Sequence, residues 1–368
     1  MIDLKKIVTI KNIIELILMV FLYAILDNLG GLKKYVIVLA FCMVFLFLVR
    51  KTKWSAELVL CVAIPAFTYV MLGSLSTLLS FNVQSTAFKV ILYWLVPLLF
   101  AFSLYVFYGD KTKHIVDMQF LGSILAYALF DAPYLMKIFR WESVFAFVFG
   151  IFAIYFAYYK RWKLFVAAML FLVFAEKRIA ILAVAGALLV MVIVWLFRHN
   201  QKLVLGFWGT IIAVIFSYLY LIYSGIMEAF CWGANINTNG RVEIYARVAE
   251  EFPPEIAGNG LGIVEKMLEY WNVAVYSNLH NDLLKTFIEL GIFGFFVFLA
   301  SYGVMFYLVG KKFEKSKLCF LLGIVVYTML LFATDNVSIY MVYLVPFYST
   351  IFAVLSTEEK KTAMEDLK

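Results

Sequence analysis

Histidine, cysteine and charge are all scarce in this 368-residue chain, and each scarcity closes off a class of chemistry. The three histidines, His114, His199 and His280, are isolated from one another, so no zinc or di-iron ligand set is legible. The four cysteines show neither metal-ligand spacing nor a disulfide framework: Cys42, Cys61 and Cys319 lie in apolar runs and Cys231 stands alone. Charged residues make up 15% of the chain, against about 25% in ordinary soluble domains. There is no repeat of fixed period and no low-complexity tract. No metal and no cofactor is therefore expected.

What fills the chain instead is apolar sequence, 65% of all residues. Runs long enough to cross a hydrocarbon layer of about 30 Å recur from end to end, centred near residues 19, 42, 68, 97, 122, 151, 169, 188, 213, 297, 326 and 346. They do not alternate, which excludes a membrane β-barrel. The expected fold is all-α: a polytopic membrane protein of about twelve transmembrane helices, with one large extracytoplasmic loop between spans nine and ten. This divides the chain into a nine-span N-terminal bundle (1–223), the loop (224–285), a three-span C-terminal bundle (286–356) and a tail (357–368). The N-terminus is basic, and its apolar run to Leu26 holds Glu15 and no small-residue cleavage site, so it reads as a retained first span.

The basic residues orient the bundle. When alternate gaps between runs are given to alternate sides, one side collects 20 of the 31 Lys and Arg, all in short gaps. These are Lys5, Lys6 and Lys11; Arg50, Lys51 and Lys53; Lys111 and Lys113; Lys160, Arg161 and Lys163; Arg198 and Lys202; Lys311, Lys312, Lys315 and Lys317; and Lys360, Lys361 and Lys368. The positive-inside rule makes that side cytoplasmic, with both termini, and turns the 224–285 loop outward. The net charge of +7 is thus a topology signal beside anionic headgroups; no nucleic-acid partner is expected.

The outer loop is the one long polar stretch, and the chemistry is sought there. Asn237-Thr238-Asn239-Gly240 reads as a turn and helix start, with a helix from Arg241 to Glu251 stopped by Pro253-Pro254. Gly258-Asn259-Gly260-Leu261-Gly262 reads as a flexible turn, and no strand precedes it, which excludes a dinucleotide fingerprint. A second helix is expected over Ile263–Trp271. Ser277 or Asn278 then caps a helix that carries His280 in its first turn and runs into the tenth span. Neutral imidazole there is a workable general base, provided a carboxylate holds its tautomer. Asn281, Asp282, Lys285 and Glu289 extend polar character into the span, and an ionisable Glu289 at that depth needs a partner. Glu176-Lys177-Arg178 interrupts the apolar sequence at the outer end of the eighth span. An arginine at a helix N-terminus makes an anion site with planar donors suited to phosphate. Arg241 and Arg247 lie about 240° apart around a helix, so only one of them can face the same ligand; Arg241 is favoured.

Three patterns occur in order: Phe174-Ala175-Glu176-Lys177-Arg178-Ile179-Ala180, Gly240-Arg241-Val242-Glu243-Ile244-Tyr245, and Leu279-His280-Asn281-Asp282-Leu283-Leu284 followed by Glu289-Leu290-Gly291. With the span count, the loop position and Asp335 ahead of the last span, this set resembles the superfamily of bacterial O-antigen polymerases and O-antigen ligases. The resemblance implies transfer of a glycan from an undecaprenyl-diphosphate carrier to an acceptor hydroxyl on the outer face of the plasma (inner) membrane. His280, Arg178 and Arg241 are then the expected catalytic residues: base and diphosphate clamp, metal-independent and inverting. Lys177, Arg247, Asn281, Asp282, Glu289 and Asp335 are expected to bind substrate. Lys177 departs from the small or polar residue frequent there, which implies a more basic anion site. The implied partners are lipid-linked glycan donor and acceptor, membrane lipid, a chain-length regulator and a flippase. An O-antigen or capsular-type polysaccharide polymerase is the first reading. A ligase to lipid A core or another acceptor is the second. A precursor transporter or flippase is the reading from another class, disfavoured because the mid-span runs are nearly free of charge. The charge distribution generates one direct test: cysteines near Asn259 should label from outside the cell and cysteines near Ser316 should not, whereas the reverse pattern would invert the orientation and displace the site.

Overall fold

The computed structural model describes residues 10–29, 31–48, 54–82, 85–137, 142–197, 200–271 and 279–357. Lys5, Lys6, Arg50, Lys51, Lys53, Arg198, His199, Ser277, Asn278, Lys360, Lys361 and Lys368 lie outside the described residues. Among the described residues the chain is all-helical. An apolar helix covers each expected run: α1 Ile10–Asn28, α2 Lys33–Leu48, α3 Ala56–Leu79, α4 Ser85–Tyr108, α5 Thr112–Ala126, then a π-helical turn Tyr127–Asp131 and a short α6 Ala132–Lys137. There follow α7 Phe145–Tyr158, α8 Trp162–Phe174, α9 Arg178–Leu196 and α10 Gln201–Tyr223. Three short helices come next, α11 Ile226–Gly233, α12 Arg241–Glu251 and α13 Ile263–Tyr270, before α14 Asp282–Lys312, α15 Lys317–Phe332 and α16 Met341–Ser356. Six segments are long and apolar enough to cross a membrane by length and composition: α3, α4, the α5–α6 stretch, α9, α10 and α14. Helices α7, α8, α15 and α16 are apolar but shorter.

Sequence order and packing order differ. Helix α14 lies along α3, α15 against α9, and α16 against α4, so the last three helices are threaded among the first nine. Every residue of α7 from Phe145 to Phe156 is buried. A helix that is apolar all round belongs in the middle of a bundle, and the aromatic side chains of α7 fill it there. Caps follow the sequence: the Ser55 hydroxyl accepts from Leu58 N at 3.2 Å at the start of α3, and the Asn200 amide oxygen from Lys202 N at 3.0 Å at α10.

Two features of the loop depart from the expectations. Helix α11 was not anticipated, and none of its residues is buried. The glycine-rich stretch is pinned, where a flexible turn was expected. Helix α14 breaks at Gly291, with φ 71° and ψ 176°, and strands the backbone groups on both sides of the break. The segment 255–260 supplies the partners. Asn259 N donates to Ile288 O at 3.0 Å and Gly260 N to Glu289 O at 3.2 Å; Ile292 N donates to Glu255 O at 2.8 Å and Phe293 N to Ile256 O at 3.3 Å. Gly258 (φ 79°) sits against Gly291 so closely that a Cβ on either would overlap the other's backbone.

Exposed Ala257 is therefore a better labelling position than half-buried Asn259. Gly258→Ala and Gly291→Ala should each cost at least about 1–3 kcal/mol from backbone strain, with steric overlap added. Gly209→Ala, in open space on α10, should instead stabilise, by up to about 1 kcal/mol. Thermal unfolding of the detergent-solubilised variants measures this, and native-like melting of both loop variants would show that the glycines are dispensable.

Candidate active site

The turn between α8 and α9 sets the first wall of the site. Ala175 caps α8, Glu176 takes a left-handed conformation (φ 53°), and extended Lys177 is the N-cap of α9. Arg178 is thus the first helical residue, at the turn where Ala180 N donates to Lys177 O at 3.0 Å and no side chain caps the N–H groups of Arg178 and Ile179 among the described residues. It is exposed. The Lys177 side chain is largely withdrawn from solvent, and its ammonium lies 3.0 Å from Asp335 Oδ2 and 3.3 Å from Glu142 Oε2.

Asp335 is the crossing point. It follows the end of α15, where its N–H donates to Leu331 O at 2.8 Å, and its side chain is almost wholly buried. Its Oδ1 accepts from Asn336 N at 2.8 Å and lies 3.4 Å from His280 Nδ1. Burial pushes its carboxyl up, but the His280 hydrogen bond, the Lys177 charge and the Asn336 N–H outweigh burial and hold it at about 2. An ionised carboxylate only accepts, so the neutral His280 ring carries its proton on Nδ1 and presents a lone pair on Nε2. Among the described residues no hydrogen bond reaches Nε2, and the ring is 35% exposed.

Correcting the expected cap, His280 lies before α14 in a left-handed conformation (φ 53°), and Asn281 is the N-cap, its Oδ1 accepting from Leu284 N at 2.9 Å. Tyr245 OH donates to His280 O at 2.8 Å and fixes it. Asn281 Nδ2 donates to Tyr218 OH at 2.8 Å, and Tyr218 OH donates to Ala333 O at 2.8 Å. On α12, Arg241 follows the left-handed Gly240 and donates from Nη1 to Thr334 O at 2.9 Å.

These parts enclose a cavity of about 850 Å³. Lys177, Arg178, Arg241 and Asp335 line it, with Glu142, Glu176, Tyr218 and Tyr245, and with Val173, Ile179, Ile181 and Met227 on its apolar side. His280 is not part of the wall; it adjoins the cavity through Asp335 and Tyr245.

The remaining expected residues stand elsewhere. Arg247 stacks over Trp271, its guanidinium 4.1 Å from the ring centroid. Asp282 is buried and accepts from Ser338 N at 2.8 Å and Ser338 Oγ at 2.7 Å. Glu289 is buried and accepts from Gly262 N and Tyr69 OH, each at 2.9 Å. Lys285 pairs with Glu265 at 2.6 Å. Asn281, Asp282 and Glu289 therefore hold the loop to the bundle and do not face the cavity. Lys177, expected to make the anion site more basic, spends its charge on two carboxylates. Tyr218, Tyr245 and Glu142 were not foreseen. Tyr245 alone had a signal, lying one helical turn after Arg241 on the same face. Among the described residues no three His, Cys, Asp or Glu side chains gather so as to hold a metal ion.

Residues 163–299 match the protein family described as O-Antigen ligase, a stretch that includes Arg178, Arg241 and His280 but not Asp335. No curated protein and no solved structure matches the chain.

Asp335 offers a test independent of any substrate. Its folded value, about 2, lies below the ordinary 3.8, so its contribution to stability is complete above pH about 3.8 and is lost as the pH falls through about 2. Asp335→Asn should lower stability at neutral pH by about 1–3 kcal/mol, the worth of hydrogen bonds to a charged group. It should also remove this part of the acid sensitivity. Unchanged thermal unfolding at both pH values would mean that the carboxylate does not join these helices.

Proposed function

From a chain that belongs to the O-antigen polymerase and ligase superfamily, we propose a membrane glycosyltransferase that acts as a polysaccharide polymerase. It moves a growing glycan from undecaprenyl diphosphate to a sugar hydroxyl of a lipid-linked repeat unit. In this reading the twelve apolar helices are spans, the protein sits in the bacterial inner membrane with both termini cytoplasmic, and the site faces outward. The observation that carries it is the Asp335–His280 pair at the edge of a cavity whose other side holds Arg178 and Arg241.

The chemistry follows from the groups present. His280 Nε2 accepts the proton of the acceptor hydroxyl while its oxygen attacks the anomeric carbon. The bond from that carbon to the diphosphate oxygen breaks, and the electron pair leaves on the diphosphate. The resulting imidazolium is stabilised by Asp335 and later gives its proton to water. Arg178, the open N–H groups of the first turn of α9, and the donors of Arg241 beyond the one spent on Thr334 face the place where negative charge develops. Direct displacement inverts the configuration at the anomeric carbon. Because His280 is partly exposed and outside the cavity wall, acceptor and donor have separate approaches, on either side of Asp335.

A ligase is the second reading, favoured by the description of the matching family. The two share the base and the clamp and differ in the acceptor.

The test is a purified assay with lipid-linked repeat units. His280→Ala should accumulate normally and lose about 10²–10⁴ in rate. Arg241→Lys should lose most activity despite keeping its charge, because an ammonium does not replace a planar bidentate donor. Activity should persist in a chelator. Full activity of His280→Ala, or strict dependence on a divalent cation, would overturn the mechanism. A ladder of products on the lipid carrier identifies a polymerase, and transfer only to a different acceptor identifies a ligase.

A further inference from the structure

Beside the large cavity lies a second one that the mechanism leaves unused. It has a volume of about 250 Å³ and is bounded by the end of α11, the 234–240 turn and the start of α12. That is just under the about 300 Å³ at which drug-sized pockets begin, a scale suited to a single sugar ring.

Its lining has a particular chemistry. Trp232, one of the two tryptophans of the loop, is 68% exposed. Around it stand Asn235, Asn237 and Thr238, with amide and hydroxyl groups able both to donate and to accept, and Glu243, whose carboxylate accepts. The turn that presents them is stiff. Asn239 N donates to Asn237 Oδ1 at 2.9 Å, Thr238 Oγ1 to Glu243 Oε2 at 3.3 Å, and Ile236 N to Cys231 O at 3.0 Å. An aromatic face carries negative charge at its centre, and one face of a pyranose ring presents only C–H bonds with positive hydrogens. An exposed indole ringed by small polar groups therefore matches a sugar stacked on its face, with its hydroxyls in reach of amides and a carboxylate.

The position of this cavity selects which sugar. Asn237, Thr238 and Val242 line both cavities, and Gly240 and Val242, which line the smaller one, flank Arg241. The space beside Trp232 therefore adjoins the place where Arg241 would hold a diphosphate. We propose that this second cavity is a saccharide subsite for the donor glycan, gripping sugars attached to the lipid diphosphate while Trp232 stacks on a ring. The proposal rests on the glycosyltransferase reading and names the part of the substrate that the loop helices hold.

A subsite that holds the donor equally in the ground and transition states affects KM and leaves kcat alone. With the purified full-length protein and the source organism's lipid-linked repeat unit as probe, Trp232→Ala and Asn235→Ala should raise KM about two- to tenfold, the range of an aromatic stack, at unchanged kcat. Trp232→Phe should restore KM and Trp232→Leu should not. Unchanged KM in Trp232→Ala would overturn the subsite. So would full rescue by leucine, since Trp232 would then be an apolar anchor at the membrane surface. If Trp232→Ala fails to accumulate, Asn235→Ala and Glu243→Gln carry the same test, and a normal KM in both overturns the proposal. His280→Ala assayed alongside keeps the two readings apart. Full activity there sinks the mechanism of transfer, whereas a normal KM in the cavity variants with an inactive His280→Ala sinks only the subsite.

Discussion

The backbone of a helix at membrane depth has to be hydrogen-bonded, and α14 interrupts its own ladder at Gly291. The stranded groups are met by segment 255–260, and from that requirement the placement of the loop follows. Ser76 Oγ adds a bond to Glu289 O at 2.7 Å, and Gly260 N and Leu261 N donate to Ser76 Oγ and Thr77 Oγ1 of α3, so the break is sealed from two sides. The Glu289 carboxylate then takes Gly262 N, where α13 begins, and Glu265 of α13 returns to Lys285 on α14. Each link shortens the reach of the next. At the start of α14, Asn281 and His280 are held in turn by Tyr218 and Tyr245.

Asp335 closes the other end of this construction. It joins the turn before α9 through Lys177, the end of α15 through its own N–H, and the start of α14 through His280. A carboxylate this deep is costly unless it is paired and hydrogen-bonded, and here every partner is also a part of the site. The same interaction that stabilises the junction therefore fixes the tautomer of the histidine. Under the proposed mechanism its effect on stability and its effect on rate would share one origin.

The sequence showed those features that depend on neighbours along the chain. Arg178 at a helix start is legible because an apolar run begins right after a charged triplet. The bounds of α12 are legible because Gly240 opens it and Pro253-Pro254 follow it. What depends on distant partners was hidden. Lys177 looked like an added phosphate ligand because Asp335 lies 158 residues away. Glu289 looked like a substrate residue because Tyr69, which donates to it, is 220 residues away. Asn281 and Asp282 sit beside a base in sequence, yet they point to Tyr218 and Ser338. The glycines at 258–262 suggested mobility, since a composition that permits a flexible turn equally permits close backbone packing.

The charge of the cavity bears on turnover. Its lining holds three cations, Lys177, Arg178 and Arg241, and three carboxylates, Glu142, Glu176 and Asp335, so its formal charge is balanced before any substrate arrives. In the proposed reaction the leaving diphosphate gains negative charge as its bond to the sugar breaks. A strongly positive pocket would hold that product more tightly than the donor and slow its release. A balanced pocket with two arginines and the open end of α9 directed at the phosphates provides donors where charge develops and has no large excess of positive charge to retain the product. Lys177 is part of this balance, its charge met by Asp335 at 3.0 Å and Glu142 at 3.3 Å. Removing Glu142 would leave the cavity lining with one unbalanced positive charge, and on this argument the effect would fall on release of the lipid diphosphate before it fell on the chemical step.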